Sequence, residues 1–112
     1  MFIKEIDARS LADRLNAGDD LMLIDVRSGP EVAQGMIEGG QHVPMHLLPL
    51  RLADIPRNKD VVFYCRSGAR SAQVCMWLGQ QGFDNVVNLR GGVIAWAREG
   101  LSFVLPDQRM YA

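Results

Sequence analysis

Short apolar runs alternate along the chain with segments that have helical spacing. The runs at 21–26, 61–64 and 86–89 are nearly uninterrupted and too short for buried helices, so they predict strands buried on both faces. Residues 2–6 predict a further short strand, and residues 42–43 a brief one. Because strands alternate with helices, the pattern predicts an α/β fold with a mainly parallel central sheet of about five strands and helices on both faces.

The first two helices are marked by residues that favour helix ends. Asp7 is an N-cap candidate for a helix that stops at Gly18, because glycine favours the left-handed conformation after a helix end. Ser28 and Glu31 have the spacing of a capping box, which predicts a short helix to about Gln34.

Three later segments also have helical spacing. Residues 45–55 predict a helix in which Pro49 must sit in the first turn, because proline lacks the N–H that an interior position needs. Residues 71–81 predict a helix that ends at Gly82, and residues 93–99 predict a final helix.

Length and composition limit the class of protein. The chain has 112 residues, which leaves no room for two ordinary domains. Hydrophobic residues make up 48% and charged residues 22%, so a disordered tail, a collagen or a coiled coil is excluded. Twelve basic residues against thirteen acidic ones give a net charge of -1, so we expect no nucleic-acid partner held by bulk charge.

The sequence shows no targeting signal, and its cysteines are few. No apolar run approaches the ~20 residues that span a bilayer, and the N-terminal residues lack the apolar region of a signal peptide. We therefore expect no membrane partner and a cytoplasmic location. Two cysteines are too few for a disulfide scaffold, so we expect reduced thiols that are available for chemistry.

One of these cysteines, Cys65, begins a polar turn of small residues between a buried strand and a helix. Ligands of open α/β sheets bind beyond the carboxyl ends of the strands, where this turn lies. Its small residues let backbone N–H groups point inward, and Gly68 permits a positive φ. The helix dipole and the charges of Arg66 and Arg70 complete an anion cradle. Such surroundings lower a cysteine pKa, so we expect Cys65 to be largely thiolate at neutral pH.

Residues 64–71 (YCRSGARS) resemble the active-site loop of rhodanese-type sulfurtransferases, and we call residues 65–71 the cysteine loop. The resemblance covers roughly residues 3–101, which implies a single rhodanese-like domain over 1–112 with a C-terminal tail at 102–112. Further segments follow in the family's order: the Asp-x-Arg strand end at Asp25 and Arg27, the acidic Glu31, the Gly-x-Ile-x-Gly segment at 35–39 with Val43 and Pro44 after it, and the Gly-Gly-x-x-x-Trp helix start at 91–96.

Three residues depart from the family pattern. Met36 stands where the family often has histidine, Glu38 where it often has proline, and Gly40 where alanine is common. All three lie in the loop at 35–40, and the cysteine loop is untouched.

The resemblance implies a sulfurtransferase of the thiosulfate:cyanide type that needs no cofactor. Cys65 would take a sulfane sulfur from a small anionic donor such as thiosulfate. The resulting persulfide would pass its sulfur to a thiophilic acceptor, which is cyanide, a thiol or a protein. The candidate site residues are Cys65 as nucleophile, Arg66, Ser67, Gly68, Ala69 and Arg70 as the substrate-binding loop, and Asp25, Arg27 and Ser71 as loop support.

Three alternative functions use the same loop. A cysteine-based phosphatase or arsenate reductase would need its arginine one position later, where Ser71 stands, and Tyr64 replaces the histidine that many such enzymes have. A rhodanese-like interaction module often lacks the cysteine, which is present here. A persulfide carrier would share the Cys65 persulfide, and the sequence does not separate it from an enzyme.

The remaining polar and reactive residues have simpler interpretations. Cys75 lies within the helix that follows the cysteine loop, too far from Cys65 for a disulfide, so core packing is expected. His42 and His46 are interrupted by prolines and lack an obvious third ligand, so we expect no metal site.

Overall fold

The computed structural model describes residues 2–106 and forms one five-stranded sheet. All paired strands are parallel, and their spatial order is β1-β5-β4-β2-β3, which confirms the predicted α/β class. The strands are β1 at Lys4–Ile6, β2 at Met22–Asp25, β3 at Gln41–His42, β4 at Val61–Tyr64 and β5 at Val86–Leu89.

Helical segments connect these strands. The segments are α1 at Ala8–Asn16, α2 at Gly29–Ala33, a 3₁₀ helix at Met45–Asp54, α3 at Ala69–Gln80 and α4 at Gly92–Arg98. The two predicted caps are confirmed. The Asp7 side chain accepts the Ser10 N–H at 2.8 Å, and Ser28 and Glu31 form a complete capping box at the start of α2.

The segment predicted as an ordinary helix over 45–55 is instead 3₁₀, and Pro49 lies inside it rather than in its first turn. Proline removes one backbone donor, and in α geometry its ring clashes with the carbonyl of the residue four positions earlier. Only Leu48 of this segment is buried, so little packing energy favours the α form. Hydrogen bonds over three residues therefore replace bonds over four, as from the Leu47 N–H to the Pro44 carbonyl at 2.8 Å.

Helices cover both faces of the sheet, as predicted. Side chains alternate along β4, so Val61 and Phe63 face a cluster with α3 and the 3₁₀ helix. Val62 and Tyr64 face the opposite cluster with α1 and α4. All four residues of β4 are buried, which explains their uninterrupted apolar sequence. The carboxyl ends of β2, β4 and β5 lie side by side at one edge, and Cys65 directly follows β4.

The chain after α4 returns to the body of the protein. Met36 and Val104 exchange both backbone hydrogen bonds at 2.8 Å in an antiparallel bridge. The Trp96 indole N–H donates to the Ser102 carbonyl at 2.9 Å. Of the tail predicted for 102–112, residues 107–112 lie outside the described residues. Among those described, no helix has the length and apolar character needed to cross a membrane.

Candidate active site

The Cys65 sulfur lies at the centre of a backbone turn between β4 and α3. Gly68, the N-cap residue of α3, has φ +98°, the left-handed conformation that glycine adopts without strain. This conformation lets the Gly68 N–H donate to Cys65 Sγ at 3.1 Å. The Ser71 hydroxyl lies 3.4 Å from the same sulfur. α3 begins at Ala69 rather than at the predicted Ser71, so its first turn closes directly over the cysteine.

These hydrogen bonds determine the ionisation of Cys65. Burial alone raises the pKa of a thiol, because it disfavours the charged form. Hydrogen bonds to the thiolate from Ser71 and from the backbone of Gly68 and Ser67 outweigh burial, so the pKa of Cys65 is lowered from its ordinary value of 9.0. The Ser71 hydroxyl and the backbone N–H groups of the loop therefore stabilise the thiolate together.

The turn between β5 and α4 supports the cysteine loop from behind. The Val93 N–H donates to the Cys65 carbonyl at 3.0 Å, and the Ile94 N–H donates to the Arg66 carbonyl at 3.1 Å. Gly92, which is buried with φ +54°, makes this approach possible. A Cβ there would lie 2.5 Å from the Arg66 oxygen, so only glycine fits. Sequence reasoning named this glycine only as part of the Gly-Gly-x-x-x-Trp helix start and missed its contact with the site.

The two arginines of the cysteine loop have different surroundings. Arg66 is exposed at the rim, as are Ser67 and Ala69. Arg70 donates two hydrogen bonds of 2.8 Å to the Glu31 carboxylate and so joins α3 to α2. The Arg70 guanidinium lowers the pKa of Glu31 to about 2. Arg70 is therefore engaged in an ion pair between two helices, whereas Arg66 lies at the surface.

Asp25 and Arg27 form a buried ion pair at the carboxyl end of β2. Arg27 donates to both Asp25 carboxylate oxygens, with a shortest distance of 2.7 Å, and also to the Gly35 carbonyl at 2.7 Å. The Ile37 N–H donates to the Tyr64 hydroxyl at 3.1 Å. The loop that carries the three departures from the family pattern is therefore held by hydrogen bonds to Arg27, just after β2, and to Tyr64 in β4.

The second cysteine is a core residue, as predicted. Cys75 packs in the cluster between α3 and the sheet, and both cysteines are free. Burial raises the pKa of Cys75 to about 12, so its thiol is unreactive at neutral pH. His42 Nε2 lies 2.7 Å from the Arg27 carbonyl, and His46 is exposed. Within residues 2–106, no three His, Cys, Asp or Glu side chains are grouped to hold a metal ion.

Sequence reasoning missed one polar residue behind the cysteine loop. Asn88 in β5 is 1% exposed, and its Oδ1 lies 2.5 Å from the Ser71 hydroxyl. Its amide also contacts Glu5 and the Gly68 carbonyl. The signal was available, because an asparagine inside an apolar strand is costly to bury without partners.

Comparisons with known proteins match most of the chain. The profile of the Rhodanese-like domain matches residues 7–99. A protein of Allochromatium vinosum named Sulfurtransferase is 54% identical over 105 residues, which cover 94% of this chain and 98% of that protein. The crystal structure of a rhodanese-like domain protein from Staphylococcus aureus has a TM-score of 0.84 at 31% identity, covering 94% of this chain and 100% of that one. A rhodanese-related protein from Thermoplasma volcanium has a TM-score of 0.81 at 30% identity, covering 91% and 98%.

Proposed function

Because this chain belongs to the rhodanese-like domain family, we propose that it is a sulfurtransferase that carries a sulfane sulfur on Cys65. The observation that carries the proposal is the hydrogen bond from the Gly68 N–H to Cys65 Sγ, in a buried cradle that lowers the thiol pKa. The relative named Sulfurtransferase supports sulfur transfer in general. The proposed location is the cytoplasm, because a reducing compartment keeps both free cysteines as thiols.

The first half-reaction loads the cysteine. The Cys65 thiolate attacks the outer sulfur of thiosulfate, a new S–S bond forms, and the S–S bond of thiosulfate breaks. Sulfite leaves with that bonding pair, so no outside oxidant or reductant is needed. The terminal sulfur of the persulfide takes up negative charge, and the backbone N–H groups of the cradle stabilise it.

The second half-reaction removes the sulfur from the Cys65 persulfide. A thiophilic acceptor, such as cyanide, a thiol or a protein thiol, attacks the outer sulfur and leaves Cys65 as a thiolate. The exposed Arg66 attracts the anionic donor, while Ser67 and Ala69 leave the rim open. Arg70 holds the loop in place through Glu31. Asp25 and Arg27 support the neighbouring loop.

The phosphatase alternative fits the geometry less well. A cysteine phosphatase uses its loop arginine to grip the phosphate, but Arg70 is held by both oxygens of Glu31. Ser71 occupies the position where that arginine is required, and it faces the sulfur instead. The tighter turn suits a single sulfur atom at the reacting centre.

Steady-state turnover tests the proposal. The protein is incubated with thiosulfate and cyanide, and thiocyanate is measured for the wild type and for Cys65→Ser. We expect thiocyanate from the wild type alone. An aryl phosphate assay runs in parallel, and its hydrolysis without thiocyanate would establish the phosphatase instead. A lack of both activities, with Cys65 unmodified by thiosulfate, would indicate an interaction module.

A further inference from the structure

A buried polar side chain on β5 has no role in the proposed reaction. Asn88 lies among the buried residues of β5 and is 1% exposed. Its strand pairs with β4 on one side and β1 on the other, and its backbone partners are Phe63 and Glu5. A neutral amide at this depth is destabilising unless its polar atoms are paired.

Each polar atom of the Asn88 side chain has a partner. Nδ2 donates to Glu5 Oε2 at 3.0 Å and to the Gly68 carbonyl at 3.3 Å, and Oδ1 accepts from the Ser71 hydroxyl at 2.5 Å. The reverse orientation would turn an oxygen towards two other acceptors. The neighbours therefore fix the orientation of the amide.

Two of these partners are also the groups that contact the nucleophile. Gly68 gives its N–H to Cys65 Sγ and its carbonyl to Asn88. Ser71 lies between Cys65 Sγ and Asn88 Oδ1, and its hydroxyl has one proton to donate. Asn88 thus contacts the cysteine loop at two of the residues whose hydrogen bonds stabilise the Cys65 thiolate.

We propose that Asn88 is a positioning residue for the nucleophile, which tethers Gly68 so that its N–H stays directed at Cys65 Sγ. Asn88 Oδ1 also accepts the hydrogen bond of the Ser71 hydroxyl while Cys65 is a thiol, and that hydroxyl turns to the sulfur when the thiolate forms. Glu5 on β1 holds the amide from its other side. The consequence for sulfur transfer rests on the proposed function, whereas the effect on ionisation of Cys65 does not.

The test isolates the tether from the shared hydroxyl. Ser71→Ala removes that hydroxyl, so adding Asn88→Leu then removes the contact with Gly68 and the Glu5 contact behind it, with no effect through Ser71. We expect the thiolate titration midpoint of Cys65 to rise by about one pH unit from the single to the double variant, because a weakened hydrogen bond to a charged group changes its ionisation about tenfold. Ultraviolet absorbance of the thiolate follows the titration. An unchanged or lower midpoint would overturn the proposal.

Asn85 provides a matched control on the same strand connection. Asn85 directly precedes β5 and is also a buried asparagine. Its Nδ2 donates to the Pro56 and Lys59 carbonyls at 2.7 Å, away from the cysteine loop. Asn85→Leu should lower the melting temperature and leave the Cys65 midpoint unchanged. A midpoint that moves equally in both leucine variants would mean general loosening of the fold and would refute the role of Asn88.

Glu5 gives a second measurement that does not depend on the double variant folding. Its side chain is about a third exposed, so substitutions there are tolerated. Glu5→Gln and Glu5→Ala both remove the charge, but only alanine removes the acceptor that faces Asn88. The thiolate titration midpoint of Cys65 should be higher in Glu5→Ala than in Glu5→Gln. Equal midpoints in the two variants would contradict the proposal.

Single-turnover kinetics connect the tether to sulfur transfer. Below the midpoint, the rate of persulfide formation at saturating thiosulfate should fall about tenfold from Ser71→Ala to the double variant. The half-saturating thiosulfate concentration should stay the same, because Arg66 is untouched. A rise in that concentration with no loss of rate would contradict a positioning role. The titration needs no sulfur donor, so a persulfide that never forms would refute the proposed function while the midpoint still decides the role of Asn88.

Discussion

Replacing Gly92 by alanine tests how closely the β5–α4 turn supports the cysteine loop. The added Cβ would lie 2.5 Å from the Arg66 carbonyl oxygen and would also overlap the Cys65 carbonyl. Both atoms are backbone, so no side-chain rotation relieves the overlap. Either the turn or the cysteine loop must move.

The cost follows from the contacts that this movement breaks. Two backbone hydrogen bonds, from Val93 to Cys65 and from Ile94 to Arg66, are lost or lengthened, at about 1 kcal/mol each. Alanine at φ +54° adds about 1 kcal/mol of backbone strain. We therefore expect Gly92→Ala to lower the free energy of unfolding by about 3 kcal/mol. A sulfur displaced by about 1 Å should also slow persulfide formation about 100-fold.

Gly100→Ala is the matched control. Gly100 also has a positive φ, of +73°, but a Cβ there meets nothing within 4 Å. This variant should lose only about 1 kcal/mol and keep the full rate of persulfide formation. Urea unfolding and single-turnover sulfur loading are measured for both variants. The reasoning is refuted if Gly92→Ala is no less stable than Gly100→Ala and loads sulfur at the wild-type rate.

The remaining predictions concern side chains around the loop. Arg66→Ala should raise the half-saturating thiosulfate concentration about tenfold with little change in melting temperature, because the side chain is exposed. Equal loss of stability and activity would contradict this. The folded-state pKa of Glu31 is about 2 against an ordinary 4.5, so its pairing with Arg70 stabilises the protein fully above pH 4.5 and is lost as the pH falls through about 2. Between pH 4.5 and pH 2, the free energy of unfolding should fall less in Glu31→Gln than in the wild type. Cys75→Ala should lower the free energy of unfolding by about 1–2 kcal/mol and retain sulfur transfer. In the native protein, alkylation of Cys75 detected as a mass shift would show that its thiol is not buried.

The sequence predicted those parts of the fold that depend on local pattern. The apolar runs of β4 and β5 match their observed bounds, because buried parallel strands leave no room for polar alternation. The caps at Asp7 and Ser28 were readable, because a cap is a local contact between a side chain and its own helix. The family motif and a glycine in the turn located the cysteine loop.

The missed features depend on residues far apart in the chain. The bridge between Met36 and Val104 uses backbone groups only, so no side-chain pattern announces it. The pairing of Arg70 with Glu31 joins residues of two helices that lie 39 positions apart in the sequence. The role of Asn88 depends on the strand order, which places β5 between β1 and β4. Such contacts are decided by packing of the whole chain rather than by local sequence.

The central claim is that Cys65 carries the transferred sulfur, and intact-protein mass spectrometry tests it most directly. After incubation with thiosulfate and removal of the excess, the wild type should gain the mass of one sulfur atom, located by peptide mapping to Cys65. Cyanide or a reductant should remove that mass, and Cys65→Ser should never acquire it. A sulfur that remains on Cys65→Ser, or a wild type that gains none, would contradict the account.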